Sequence, residues 1–258
     1  MMANSSDENI YSEIIEIIDQ GGAAALATVV AKEGTSPREV GSKLLLREDR
    51  SFTGSVGGGA VESAVLKACY EVIVDGEPRL VRVGDEEGES SCGGILQVYI
   101  EPILGAPTLC VCGAGHVGQY VAQVGSMAGF RVIVADDREE LTGREHFPQA
   151  DEILVGPVPQ ILDGLVLGPH SYIVIVRGHE QDRAILRWAV QTPARYVGMI
   201  GSEDKVKSVL EALEGEGIGR DRLDQVRAPI GLRIGAETPQ EIAVAIMAEI
   251  IAARRRKG

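Results

Sequence analysis

The stretch LCVCGAGHVGQYVAQVGSMAGFRVIVAD, residues 109–136, decides how the second half of this chain is read. Leu109 to Cys112 is a short apolar run with the character of a buried strand. A turn follows, Gly113-Ala114-Gly115-His116-Val117-Gly118. Apolar residues then recur at Val117, Val121, Val124 and Met127–Ala128, the spacing of one helix face. Gly129 ends that helix, and Phe130 to Ala135 is a second strand closing on Asp136. In a G-x-G-x-x-G turn each glycine has a task. Gly113 permits the tight turn, Gly115 lets backbone approach a pyrophosphate, and Gly118 lets helix and strand pack closely. The unpaired N–H groups of the first helical turn then face the phosphates. Asp136 lies 18 residues beyond Gly118, where a carboxylate can bind a ribose hydroxyl. A turn that serves packing alone remains the alternative.

Working outward, the rest of the second half alternates strand and helix, the sign of a parallel sheet. Strands are expected at 152–155, 172–176 and 196–200. Helices are expected near 158–165, 181–191 and 203–214. A last helix starts at Thr238-Pro239-Gln240-Glu241, a capping box with proline in its first turn. Ligands of such sheets sit beyond the carboxyl ends of the strands. His179, in Arg177-Gly178-His179, and Lys205, in Gly201-Ser202-Glu203-Asp204-Lys205, are therefore ligand or catalytic candidates, or else surface residues beside a cleft. His116, at the helix start, is expected to contact a phosphate or a partner.

The first half reads differently. An amphipathic helix at 9–20 stops at Gly21-Gly22. Strands follow at 23–31 and 42–47, the second closing a hairpin through 48–50. Phe52 to Val56 leads into Gly57-Gly58-Gly59 and a helix from about Ala60 to Val74. This second glycine loop at a helix start is either another anion seat or a close backbone crossing. Strands are expected at 77–83 and 95–100, with a surface loop at 84–91. Cys92, flanked by glycines in Ser91-Cys92-Gly93-Gly94, is either an accessible thiol or a buried structural one. Cys69, Cys110 and Cys112 are expected in the core. Residues 101–107, with two prolines and a glycine, read as the linker. The expected organisation is an α/β chain: an α+β domain over 1–104 and a Rossmann-like, doubly wound parallel sheet over 105–258.

The 258 residues suit two domains at about 100–200 residues each, and 45% hydrophobic content can fill their cores. A net charge of −13 argues against nucleic acid as partner. The one basic run, Arg254 to Lys257, suits the negative end of the last helix. The start has neither a basic region nor an apolar stretch, so no secretion signal is expected. No window reaches the ~18 apolar residues of a membrane span. The four cysteines lack metal or disulfide spacing, and the expected compartment is the cytoplasm.

These motifs together resemble the XdhC/CoxI family, accessory proteins of molybdenum hydroxylases. In the first half the resemblance rests on Gly34-Thr-Ser-Pro-Arg38, Gly54-Ser-Val-Gly-Gly-Gly59 with Glu62, and Cys92-Gly-Gly94. In the second it rests on Gly113 to Gly118, Gly178-His179, Ile200-Gly-Ser202 with Lys205, Pro229-Ile-Gly-Leu232, and Ile234 to Ala243. The resemblance implies a non-catalytic cytoplasmic chaperone, dimeric. It would bind the molybdenum cofactor as molybdopterin or its dinucleotide, support sulfuration by a cysteine desulfurase, and deliver the cofactor to an apo-hydroxylase. Gly57, Gly58, Gly59, Glu62, Cys92, Gly113 to Gly118 and Asp136 would line the cofactor seats, with Cys92 the possible contact to molybdenum. Where the family often carries a cysteine after the glycine loop, this chain has Ala60. The alternative function is an NAD-dependent oxidoreductase using His179 or Lys205 as acid–base group, with Asp136 favouring NAD over NADP.

Overall fold

The computed structural model describes residues 5–34, 38–84, 94–158, 160–165, 167–178 and 181–255. Two compact units divide at Ala106 and Pro107.

The N-terminal unit is a five-stranded antiparallel sheet between two helices. Its elements are α1 (Ser5–Asp19), β1 (Ala23–Gly34), β2 (Lys43–Arg47), β3 (Phe52–Gly54), α2 (Gly59–Asp75), β4 (Arg79–Gly84) and β5 (Gly94–Leu104), in the spatial order β3-β2-β1-β5-β4. The central strand β1 is covered on both faces, which explains its run of alanines. Ala23, Ala25 and Ala27 pack under α2 with Val65, Cys69 and Val72, while Ala24 and Leu26 pack under α1 with Ile10. The spacing 65, 69, 72 and 73 gives α2 one apolar stripe.

Two expectations are corrected here. The stretch 101–107 is not all linker: β5 runs through Pro102 to Leu104, with Pro102 opposite Ala25. β4 stops pairing at Ile100, so beyond it β5 is an edge strand, where a residue without an N–H is tolerated. The strand expected from Glu77 starts at Arg79, after a turn in which the Glu77 N–H donates to Asp75. The 84–91 loop lies largely outside the described residues.

The C-terminal unit is a parallel sheet with the elements β6 (Thr108–Cys112), α3 (His116–Met127), β7 (Arg131–Asp136), β8 (Glu152–Val155), β9 (Ser171–Ile175), α4 (Gln181–Ala189), β10 (Tyr196–Met199), α5 (Glu203–Gly215), α6 (Arg220–Leu223) and α7 (Pro239–Arg255). The strand order is β10-β9-β6-β7-β8, so the chain steps one way from β6 to β7 and β8 and then returns to β9 on the other side. The switch point lies between β6 and β9. Each strand has apolar residues on both sides, as a sheet covered on both faces requires. Leu109, Val111, Val132 and Val134 meet α3 and α7; Cys110, Cys112, Ile173 and Ile175 meet α4 and α5. The Cys110 and Cys112 sulfurs lie 3.9 Å apart in that second layer, both buried. Their mutual hydrogen bond and burial push the Cys112 thiol well above its ordinary range.

The helix expected over 158–165 is instead a single 3-10 turn at Gln160–Leu162, because prolines 157 and 159 and Gly164 crowd the segment. The capping box forms as read. Thr238 Oγ1 accepts from Glu241 N at 3.3 Å, and Glu241 Oε2 accepts from the amides of Glu237 and Thr238 at 2.9 and 3.0 Å. No helix among the described residues is long and apolar enough to cross a membrane.

Candidate nucleotide site at the carboxyl edge of the parallel sheet

The turn between β6 and α3 shows which glycine is needed for what. Gly113 has φ +132, and a Cβ there would lie 2.7 Å from the backbone of Val176 and Arg177. At Gly118 a Cβ would lie 1.9 Å from the Gly113 carbonyl oxygen. A side chain at either position would force this backbone to shift, so the turn favours glycine at both. Gly115 is different: it caps α3 at φ −69 and ψ −179, which any residue adopts, and nothing lies within 4 Å of where its Cβ would be. The fold leaves open space above Gly115, beside the positive end of a twelve-residue helix. The N-terminal amides of a helix have no partner within it. Here the turn's first two amides are engaged, Gly113 N with Ala135 O at 2.9 Å and Ala114 N with Asp136 Oδ2 at 2.6 Å. His116, on the next turn, is exposed, and Val117 is half-buried.

Asp136, at the end of β7, is fully buried. Besides Ala114 N, it accepts from Arg138 three times: N and Nε on Oδ1 at 2.9 Å each, and Nη2 on Oδ2 at 2.7 Å. Arg177 Nε stands 3.6 Å from Oδ1. Burial alone would push this carboxyl up, but the Arg138 side chain and the two amides outweigh it and hold the group down, at about 2. Arg177 also donates to Asp137 at 2.7 Å and to Gln181 at 3.1 Å, and Gln181 donates to Asp137 at 2.8 Å. These contacts tie the ends of β7 and β9 together beside the glycine turn.

The neighbouring loops are tied by a second carboxylate. Asp182, fully buried at the start of α4, accepts from Gly178 N at 3.1 Å and from the Lys205 ammonium. Lys205 thus clamps the loop after β10 to the one after β9. Ser202 caps α5, its hydroxyl accepting from Lys205 N at 3.3 Å. His179 and Cys92 lie outside the described residues.

In the N-terminal unit the second glycine loop opens α2. Gly58, its cap, has extended backbone and nothing within 4 Å of a Cβ, while Gly59 needs its φ of +55. A Cβ at Gly57 would meet Val61 at 2.9 Å. The Ser55 hydroxyl lies 2.7 Å from both the Glu62 carboxylate and the Gly57 carbonyl, so it fixes the loop to the helix's first turn.

Of the residues singled out in the sequence, the structure places Asp136 against the Gly113–Gly118 turn and Lys205 on the same edge of the sheet. Sequence reasoning missed the roles of Arg138, Arg177, Asp137 and Asp182. The one available signal was their position, each within three residues of a strand's carboxyl end or in the next helix's first turn.

A buried parallel sheet in the order above, with a glycine turn at its switch-point strand, defines a Rossmann-type unit in a chain that also carries an α+β unit. Comparison with known families agrees in both parts. Residues 109–250 match the XdhC Rossmann domain, and residues 17–84 match the XdhC and CoxI family. The chain belongs to the XdhC/CoxI family. It is 33% identical over 252 residues to the uncharacterized protein YqeB of Escherichia coli K12, covering 94% of this chain and 46% of YqeB. A probable xanthine dehydrogenase subunit of Bacillus subtilis 168 is 33% identical over 160 residues, 62% of this chain and 46% of that protein. The chain therefore spans less than half the length of these two relatives. The molybdenum cofactor insertion chaperone PaoD of Escherichia coli K12 is 27% identical over 279 residues, covering 93% of this chain and 86% of PaoD. A Bacillus halodurans crystal structure described as a xanthine dehydrogenase shares the fold, with TM-score 0.54, 21% identity and 95% of each chain covered.

Proposed function

We propose that this chain binds a phosphate-bearing molybdenum cofactor, as molybdopterin or its dinucleotide, at the Gly113–Gly118 turn and serves as an insertion accessory protein. In this reading it supports cofactor sulfuration by a cysteine desulfurase and hands the cofactor to the apo-enzyme of a xanthine dehydrogenase-type hydroxylase. It works as a cytoplasmic homodimer and catalyses no reaction itself. Likeness to PaoD over most of both chains supports the role.

The observation that carries the proposal is the open space over Gly115. A glycine that neither backbone strain nor packing requires is explained by a ligand that needs the room. Helix α3 supplies unpaired amides and the positive end of its dipole there, which suits a phosphate. Cys92 is the thiol this reading assigns to the molybdenum centre, and Gly57 to Gly59 with Glu62 form the second cofactor seat.

Gly115→Asp is the discriminating variant. Aspartate caps helices at least as well as glycine, so folding should hold, yet its carboxylate fills the space and repels an anion. Wild-type protein should bind purified cofactor at micromolar concentration. Gly115→Asp should lose at least about tenfold in affinity, roughly one charge-assisted hydrogen bond. Cys92→Ala should keep the phosphate-dependent part of the binding. No cofactor binding by the wild type removes the proposal.

The second reading, an NAD-dependent oxidoreductase, rests on the same turn with Asp136. Against it, Lys205 is held in an ion pair with buried Asp182, a clamp between loops. Turnover of any substrate in a dehydrogenase screen with NAD would favour this reading over the first.

A further inference from the structure

An ionised carboxylate has about four acceptor positions. All four at Asp136 are in use. Two belong to backbone amides, Ala114 N on Oδ2 and Arg138 N on Oδ1. These two are part of the fold. The other two belong to the Arg138 side chain, Nε on Oδ1 and Nη2 on Oδ2, a two-pronged contact that spans both oxygens. This guanidinium sits on a rotatable stem and is 30% exposed, so it is the removable half of the arrangement.

A ribose cis-diol makes the same pattern. Its two hydroxyls, on adjacent carbons, each donate one hydrogen, and a carboxylate at this position in a Rossmann unit receives them. We propose that Arg138 occupies the sugar subsite as an internal stand-in for a ribose diol, and that the site's ligand is a nucleotide with free 2′ and 3′ hydroxyls, which displaces the arginine from Asp136. This rests on the reading of Gly113–Gly118 as the diphosphate seat.

The exchange leaves no charge stranded. Arg177 stays 3.6 Å from Asp136 and keeps the buried carboxylate compensated. The charges of Asp137 and Glu140 favour the charged Arg138 guanidinium in this region. Hydrogen bonds are conserved too: two N–H donors leave the carboxylate and two O–H donors replace them. A ribose carrying a 2′-phosphate has one hydroxyl fewer to donate, and it sets its charge beside Asp136 and Asp137.

Arg138 then competes with the ligand, and the apparent affinity is reduced by the fraction of molecules whose subsite is free. The test uses the full chain with NAD and NADP as probes, read by calorimetric titration, with melting temperature as the folding control. Arg138→Ala should bind NAD about tenfold more tightly than wild type. NADP should bind at least about tenfold more weakly than NAD to both proteins. Arg138→Met, which keeps the apolar stem, should repeat the gain if the alanine variant folds poorly. Unchanged or weaker NAD binding by a folded Arg138 variant overturns the inference. So does wild-type preference for NADP that the variant loses, because Arg138 would then be a phosphate ligand. Gly115→Asp separates the two levels. If it abolishes NAD binding while Arg138→Ala gives no gain, only the sugar inference fails. If it leaves NAD binding intact, or if no form binds NAD, the diphosphate seat fails with it.

Discussion

Gly115 and Gly118 belong to one motif and answer to different physics. A methyl group at Gly118 would sit 1.9 Å from a carbonyl oxygen that the same turn fixes in place. Gly118→Ala should therefore cost about 1–3 kcal/mol and lower the melting temperature by roughly 3–8 °C. Gly115→Ala, with nothing in the way, should cost less, about 0.5–1 kcal/mol, the difference between those residues as caps. Thermal melts of the two variants side by side check the contrast. Asp136 gives a second prediction. Its carboxyl is held at about 2 against an ordinary 3.8, so its contribution to stability is complete above about pH 4 and is lost as pH falls through about 2. The size is roughly 2 kcal/mol. Asp136→Asn should remove that component, and urea unfolding between pH 5 and pH 2.5 would show a flatter acid limb. At this scale the sequence was half legible. The glycines announce themselves because φ and close approach restrict residue type. That Arg138 folds back on Asp136 was invisible, because it depends on a side-chain rotamer that no spacing encodes. The Asp182–Lys205 clamp was equally hidden, since it joins residues 23 positions apart on different elements.

Among elements, those with a strong period were read well. α3 and its flanking strands follow from an apolar stripe and two short β-branched runs, and α7 from its capping box. Thr238→Ala removes the hydroxyl that accepts from Glu241 N and should cost about 1 kcal/mol. Chemical denaturation of the variant checks it. The errors came from prolines. Residues 101–107 looked like a linker because proline is rare in strands, yet β5 carries Pro102 where its neighbour β4 has ended. Residues 158–165 looked helical by their apolar spacing, but the prolines reduce the segment to one 3-10 turn. Pairing partners and edge positions are properties of the assembled sheet, and a single chain segment does not reveal them.

At the scale of the whole molecule, each apolar cluster among the described residues is built within one unit. Those of the N-terminal unit draw on residues up to Ile103, and those of the C-terminal unit on residues from Leu109 onward. Two separately cored units should melt in two transitions. A dinucleotide bound at the turn stabilises the state that binds it, so saturating ligand should raise the C-terminal transition. At a hundredfold excess over Kd the gain is about 2.7 kcal/mol. Differential scanning calorimetry with and without ligand would show it, and an unchanged C-terminal transition would contradict a seat at the glycine turn of the parallel sheet.

The separation of duties within the glycine turn also bears on descent. A lineage with no ligand at the proposed seat could accept serine, asparagine or aspartate at position 115 without harm to folding, whereas positions 113 and 118 would stay under structural constraint. Genetic drift at that one site, beside two immobile neighbours, would mark the members of this family that have given up their cargo.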